Sequence, residues 1–318
     1  MNETFDLGKI IDNDILELYE KDKNHKVKNI DFTRIWCDFV LLPIYRIEFI
    51  IRTSLHTQKG YNKNEAIIYA QLMRIFRLLT FQRRLTCKQV MTSELAGFFE
   101  RMIIEASINL QYYILNYKDS VLEKFRVNSL LPEAFFEEAI CDDIAENNGQ
   151  ISEWQERLLN SIHSTYNKAG KFGTSFEDIK KAKVKIPSIW EKFRVTGNQR
   201  LYDVVYRGKC HNIHGDWVDF TQNYLSYNED SLTFSPNFQE FDTDLRQLNP
   251  VLLICYESLK IYLENFPGHG LHQSLYTEIV NDQKLILLLD EIHDNFLNKQ
   301  NLFEGIDMHS VLGNSSLN

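Results

Sequence analysis

The sequence predicts an all-α helical bundle, and three observations carry that prediction. Apolar residues recur at three- and four-residue spacing along nearly the whole chain, which gathers them on one face of a helix. Glycine and proline are scarce, 13 and 6 in 318 residues, so there are few breakers, and long helices are favoured over short strands joined by tight turns. Phenylalanine (21) and tyrosine (15) are plentiful, enough to fill a sizeable core.

Taken in order, the periodicity places helices at about 8–21, 31–57, 63–84, 93–117, 133–147, 151–167, 187–195, 198–214, 249–264 and 283–298. Pro43 should kink or split the second. Thr92-Ser93-Glu94 offers a capping hydroxyl to the fourth, and Gly197-Asn198 stops one helix before the next begins. Residues 168–185, with Gly170 and Gly173, read as a loop plus a short helix; residues 223–247, polar and containing Pro236, read as a long connection. The chain divides into an N-terminal helical layer (1–60), a helical core (61–265), C-terminal helices (266–300) and a tail (301–318) that reads as disordered.

Composition narrows the class of protein. The N-terminus is acidic and lacks the basic and apolar regions of a signal peptide. The most apolar stretch, 39–51, is broken by Pro43, Arg46 and Glu48 and is too short to span a bilayer. Five cysteines, with no two at metal-ligand or redox spacing, read as reduced thiols, and the expected location is cytoplasmic, without a membrane partner. The net charge is −9, yet residues 168–209 hold eleven Lys or Arg against four acids, a local +7 that leaves −16 for the rest. A basic segment on an acidic protein can hold a phosphate backbone locally, or can be no more than a solvated helix face.

The chemistry concentrates in residues 201–215. Arg207, His211 and His214 stand at i, i+4 and i+7, positions that share one face of a regular helix within two turns. Arginine can hold a phosphate bidentately, and histidine can move a proton near neutral pH, so the set suits phosphodiester chemistry without a metal or another cofactor. Gly215 is a natural helix C-cap. On the helix at 93–117, Arg101, Glu105 and Asn109 form a polar stripe that reads as a buried ion pair or as a support for Arg207. His269 and His272 read as surface histidines; the acidic run Glu133, Glu137, Glu138, Asp142, Asp143 and Glu146 reads as a solvated face. Cys210 and His211, adjacent on a helix, point apart and do not form a dyad. No zinc-spaced cluster, Walker loop or dinucleotide loop is present in the sequence.

Arg207-x6-His214 resembles the Arg-x4–6-His motif of the HEPN superfamily of helical ribonucleases and toxins. The setting is similar to a less characterised bacterial branch: Pro187-Ser188-Ile189, then Gly197, then Tyr206-Arg207 through His214-Gly215, with a second block from Glu100-Arg101 to Glu105 and on to Tyr113. The resemblance spans roughly 65–265. It implies a HEPN-like core, a homodimer that pairs two motif copies, catalysis on RNA by Arg207 and His214 with His211 assisting, and a role as a toxin or anti-phage effector with an antitoxin or defence partner. Active members carry a polar residue after the arginine, where this chain has Gly208; His211 could supply that polar group. The alternative is a non-catalytic helical protein that binds RNA, nucleotide or a partner protein. The two readings separate on whether Arg207, His211 and His214 converge on an open cleft beside the basic segment, or Arg207 is sealed against Glu105.

Overall fold

Several helices in this chain begin where a side chain occupies the orphan N–H groups of the first turn. Asn62 accepts from Asn64 and Glu65, and Glu65 returns a bond to the Asn62 N–H at 3.0 Å. Ser152 with Gln155, Ser175 with Asp178 and Ser188 with Glu191 repeat this reciprocal cap. The computed structural model describes residues 7–23, 26–53, 60–88, 93–171, 173–183, 185–211, 216–237, 244–266, 272–298 and 302–303. His214, Gly215, Thr92, His269 and the tail from 304 lie outside the described residues, as does 54–57 of the second expected helix.

The architecture is an all-α bundle. Its elements are α1 (Leu7–Lys23), α2 (Asn29–Phe39), α3 (Leu41–Thr53), α4 (Lys63–Cys87), α5 (Ser93–Leu115), α6 (Asp119–Ser129), α7 (Leu131–Glu146), α8 (Glu153–Lys168), α9 (Phe176–Lys181), α10 (Ile189–Val195), α11 (Gln199–Leu201), α12 (Trp217–Asp219), α13 (Leu248–Asn265) and α14 (His272–Leu297). The helix expected at 31–57 is two. Pro43 stands in the first turn of α3, where its missing N–H costs no helical bond, so the chain breaks ahead of it rather than kinking through it. Helix α6 was not anticipated, and α14 starts well ahead of residue 283.

Helix α5 is apolar nearly all round and accordingly lies inside, packed between α4 and α13. Among its polar side chains, Gln111 donates from Nε2 to Ser258 Oγ of α13 at 3.0 Å and accepts at Oε1 from Asn198 Nδ2 at 2.9 Å. One apolar core runs from Ile11 of α1 to Leu302 beyond α14. A second, small core of Leu130, Ala134, Ile140, Ile162, Tyr166 and Ile179 belongs to α7–α9.

Two stretches depart from the sequence expectation. Of the helix expected at 198–214, the described residues 198–211 do not form one regular helix. After α11 the backbone widens into a π turn (Tyr202–Tyr206) and then tightens into a 3-10 turn (Gly208–Cys210), with the Arg207 N–H reaching Tyr202 O at 2.9 Å. Within 223–247 the chain makes a β-hairpin, β1 (Leu225–Asn228) with β2 (Thr233–Pro236), antiparallel, with Tyr227 opposite Phe234. The strands alternate, as in Leu225-Ser226-Tyr227-Asn228, but over four residues that pattern is too short to stand out from the polar stretch around it.

Candidate functional site

The site is built where α10 and the motif turns lie on α5. Ser188 caps α10, which ends in a left-handed Gly197 (φ 75°); the Asn198 N–H bonds back to Phe193 O at 2.8 Å. That reversal returns the chain along α5. Trp190, Phe193, Tyr202 and Tyr206 then form a continuous aromatic cluster, with ring centroids 4.9–5.4 Å apart in successive pairs.

Every polar member of the α5 stripe meets a residue of α10 or of this returning segment. Buried Tyr206 donates its hydroxyl to Glu105 Oε2 at 2.9 Å. The Arg101 guanidinium lies over the Tyr206 ring, 4.7 Å from its centroid. Asn109 Oδ1 accepts from Lys192 Nζ at 2.7 Å, and Tyr113 Oη lies 3.1 Å from the same ammonium. Lys192 is buried, and desolvation brings its pKa down to about 8. One turn before Glu105 on the neighbouring face, fully buried Glu100 pairs with Lys209, whose Nζ also donates to Gln247 Oε1 at 2.7 Å. Burial raises the Glu100 carboxyl against the opposing pull of Lys209.

The catalytic candidates are therefore distributed unequally. Arg207 is exposed and has no ion pair or side-chain hydrogen bond among the described residues. Glu105, which could have sealed it, is occupied by Tyr206. His211 is partly exposed, and its Nδ1 lies 2.5 Å from Asp216 Oδ2. Asp216 also caps α12 through Oδ1, accepting from the Val218 and Asp219 N–H groups, and the His211 contact is the main cause that lowers its carboxyl pKa. Asp216 was not singled out from the sequence: five residues beyond His211, it fits no helical spacing. Arg194 and Arg200, which lead into the motif, are exposed and likewise unpaired among the described residues.

A cleft of about 580 Å³ adjoins the motif, lined by Gly97, Gly208, Lys209, Arg246, Asn249 and Asp290 among others. It borders Gly208 and Lys209 rather than Arg207 or His211. A Cβ at Gly208 would meet no atom within 4 Å, so the missing side chain leaves open space there. Glu137, expected on a solvated acidic face, is instead buried, because α8 packs over it and His163 bonds its carboxylate at 2.8 Å.

Residues 66–232 match a family of unknown function, DUF5677. That is more than half of the chain, and the chain belongs to this family. No curated protein and no solved structure matches it. The matched segment takes in both α5 and the motif turns. No helix of the described residues is long and apolar enough to cross a membrane.

Proposed function

We propose that the protein is a metal-independent endoribonuclease of the HEPN type, in which Arg207 holds the scissile phosphate and histidine of the motif moves the proton. The observation that carries this reading is the pairing of an exposed, uncommitted Arg207 with a carboxylate-held His211 one turn later. An imidazole whose Nδ1–H is held by a carboxylate presents Nε2 as the acceptor, the orientation a general base needs. The ribose 2′-hydroxyl would be the nucleophile. Its proton passes to a motif histidine, its oxygen forms a bond to phosphorus, and the 5′-oxygen of the next nucleotide leaves with a proton from a second acid. The product is a 2′,3′-cyclic phosphate. His214 is the base that the motif resemblance implies, with His211 assisting. Arg194 and Arg200 extend the positive surface along which a phosphate backbone would run.

A homodimer belongs to this reading, and a second observation favours it. Trp217 of α12 and Tyr227 of β1 both pack on Phe234 of β2 (centroids 5.1 and 4.8 Å apart), and all three stay about half exposed. Residues 210–245 hold seven acids and no Lys or Arg, whereas 168–209 carry +7. An acidic aromatic arm suits the basic segment of a second copy better than it suits RNA. A role as a toxin or anti-phage effector held by a partner protein follows from the same resemblance. The test is cleavage of single-stranded RNA by the purified chain, with and without chelator, with Arg207→Ala and His214→Ala as controls. A chain inert toward every RNA offered leaves the non-catalytic binding protein as the reading.

A further inference from the structure

Helix α4 buries one face and leaves the other to solvent. Ile68, Leu72, Ile75 and Leu79 face the core. Arg74, Arg77, Phe81, Arg84 and Lys88 are exposed, and their spacing of three and four residues stacks them in one ridge about 21 Å long. Residues 66–88 hold five Lys or Arg and no acid. The fifth cation, Arg83, lies off the ridge, where it donates to Cys37 O at 2.8 Å and pairs with Asp38. The four ridge cations have no ion pair or side-chain hydrogen bond among the described residues. Many cations elsewhere are engaged, as Arg46 is with Asp282, Arg126 with Glu123 and Lys180 with Glu138.

Nothing internal calls for this charge. Arg74 and Arg77, like Arg84 and Lys88, are like charges within about one turn and repel one another. The helix dipole offsets that repulsion for Arg84 and Lys88 at the C-terminal end, but not for Arg74 and Arg77 in mid-helix. A polyanion laid along the ridge relieves it. The rings narrow the choice of polyanion: Phe81 and Phe98 are 49% and 40% exposed, and both pack on Phe99, with centroids 5.3 and 5.8 Å away. Evenly spaced cations beside exposed rings suit a single strand of nucleic acid, whose phosphates meet the cations while its unpaired bases stack on the rings. A duplex hides its base faces. The acidic hairpin of a second copy has four-residue strands, about 13 Å long, and leaves much of the ridge uncovered.

We propose that the α4 ridge binds single-stranded nucleic acid, with Arg74, Arg77, Arg84 and Lys88 on the phosphates and Phe81 and Phe98 against the bases. The ridge is separate from the Arg207 surface. Phe81 meets α5 at Phe99, whereas Gly97, on the opposite side of α5, lines the cleft beside Gly208. A strand can be held on the ridge whether or not it is cut, so binding does not depend on the nuclease reading.

The test is fluorescence anisotropy of the full chain with a labelled 2′-O-methyl oligonucleotide about twelve nucleotides long, which lacks the 2′-hydroxyl nucleophile and cannot be cut. At about 50 mM salt, saturable binding with a dissociation constant on the order of 10⁻⁵ M or tighter is expected. Arg77→Ala with Arg84→Ala should weaken it roughly tenfold or more and flatten the log–log salt slope by about 1.4, two phosphate contacts at about 0.7 each. Phe81→Ala should weaken binding about fivefold or more and leave the slope unchanged. All three side chains are exposed, so helical circular dichroism should match wild type. Ridge binding by a chain that cuts no RNA removes the nuclease reading and supports the ridge. Binding lost in Arg207→Ala but kept in the ridge variants places the strand at the motif alone and overturns the proposal, with the nuclease reading intact. No saturable binding up to about 10⁻⁴ M, a duplex bound as tightly as the single strand, or ridge variants that lose self-association but keep the oligonucleotide each overturn it as well.

Discussion

Tyr206 donates its hydroxyl to Glu105 across 2.9 Å, and this bond joins the motif turns to the central helix of the bundle. It also determines what Arg207 can do. With Glu105 engaged, the adjacent arginine is left facing solvent rather than closing an internal ion pair. Tyr206→Phe should therefore cost about 1–3 kcal/mol, because a partly buried carboxylate loses its donor. Glu105→Gln, which can still accept from Tyr206, should cost less. Urea denaturation of both variants measures the difference; equal stability of Tyr206→Phe and wild type would show that the link contributes nothing.

Arg207→Ala should leave stability within about 0.5 kcal/mol of wild type, as expected of an exposed side chain without partners. RNA cleavage should nevertheless be lost. His211→Ala and Asp216→Asn should lower the rate, the former by up to about 10²–10⁴-fold if His211 carries the proton. Cleavage should persist in EDTA, spare DNA for want of a 2′-hydroxyl, and leave a 2′,3′-cyclic end detectable by mass spectrometry. A folded Arg207→Ala protein that cuts RNA at the wild-type rate refutes the assignment.

His293 supplies a pH prediction. It is buried, stacked on Phe32 with centroids 4.1 Å apart, and its Nδ1 accepts from Trp36 Nε1–H at 3.1 Å. Burial lowers its pKa to about 4 from 6.5. Between those values the unfolded chain binds more protons than the folded one, so stability falls as pH drops through this window, by about 3 kcal/mol for the whole shift. Asp14 acts in the opposite sense: burial raises it to about 6, so its protonation favours the folded state as pH falls. Asp14→Asn should steepen the acid loss, and His293→Gln, which keeps an acceptor for Trp36, should flatten it. Tm measured from pH 7 to pH 4 for the three proteins checks the signs.

Self-association through the hairpin should depend on both its rings and its charge. Sedimentation velocity at tens of micromolar, on the order of concentrations at which weak dimers form, should show a dimer at low salt. Trp217→Ser with Phe234→Ser should yield monomers with unchanged helical circular dichroism. Raising ionic strength to about 0.5 M should weaken the wild-type dimer by screening the acidic arm from the basic segment. A wild-type monomer at low salt removes the dimer from the proposed function.

Much of the fold was legible because its signals are local. Ser188 before Ile189, Gly197 after the last turn of α10, and the apolar spacing of α4, α5 and α13 each act within one or two helical turns. The hairpin was not legible, since its strands are four residues long and Tyr227 and Phe234 acquire meaning only when paired. The motif helix was legible as a helix but not as a π turn followed by a 3-10 turn.

For the candidate site, the chain alone singled out Arg207, His211, Arg101 and Glu105 by residue type and spacing. It could not say which of them would be engaged. That was decided by what arrives from elsewhere: Lys192 reaches Asn109 across 83 positions and Tyr206 reaches Glu105 across 101. Glu137, one of six acids that look alike in sequence, is buried only because α8 brings His163 and Tyr166 over it. Capping and periodicity are interactions between neighbours in the chain, and so the sequence by itself determined where most helices lie; burial of a charge depends on distant segments that exclude water from it, and only the tertiary structure decided that.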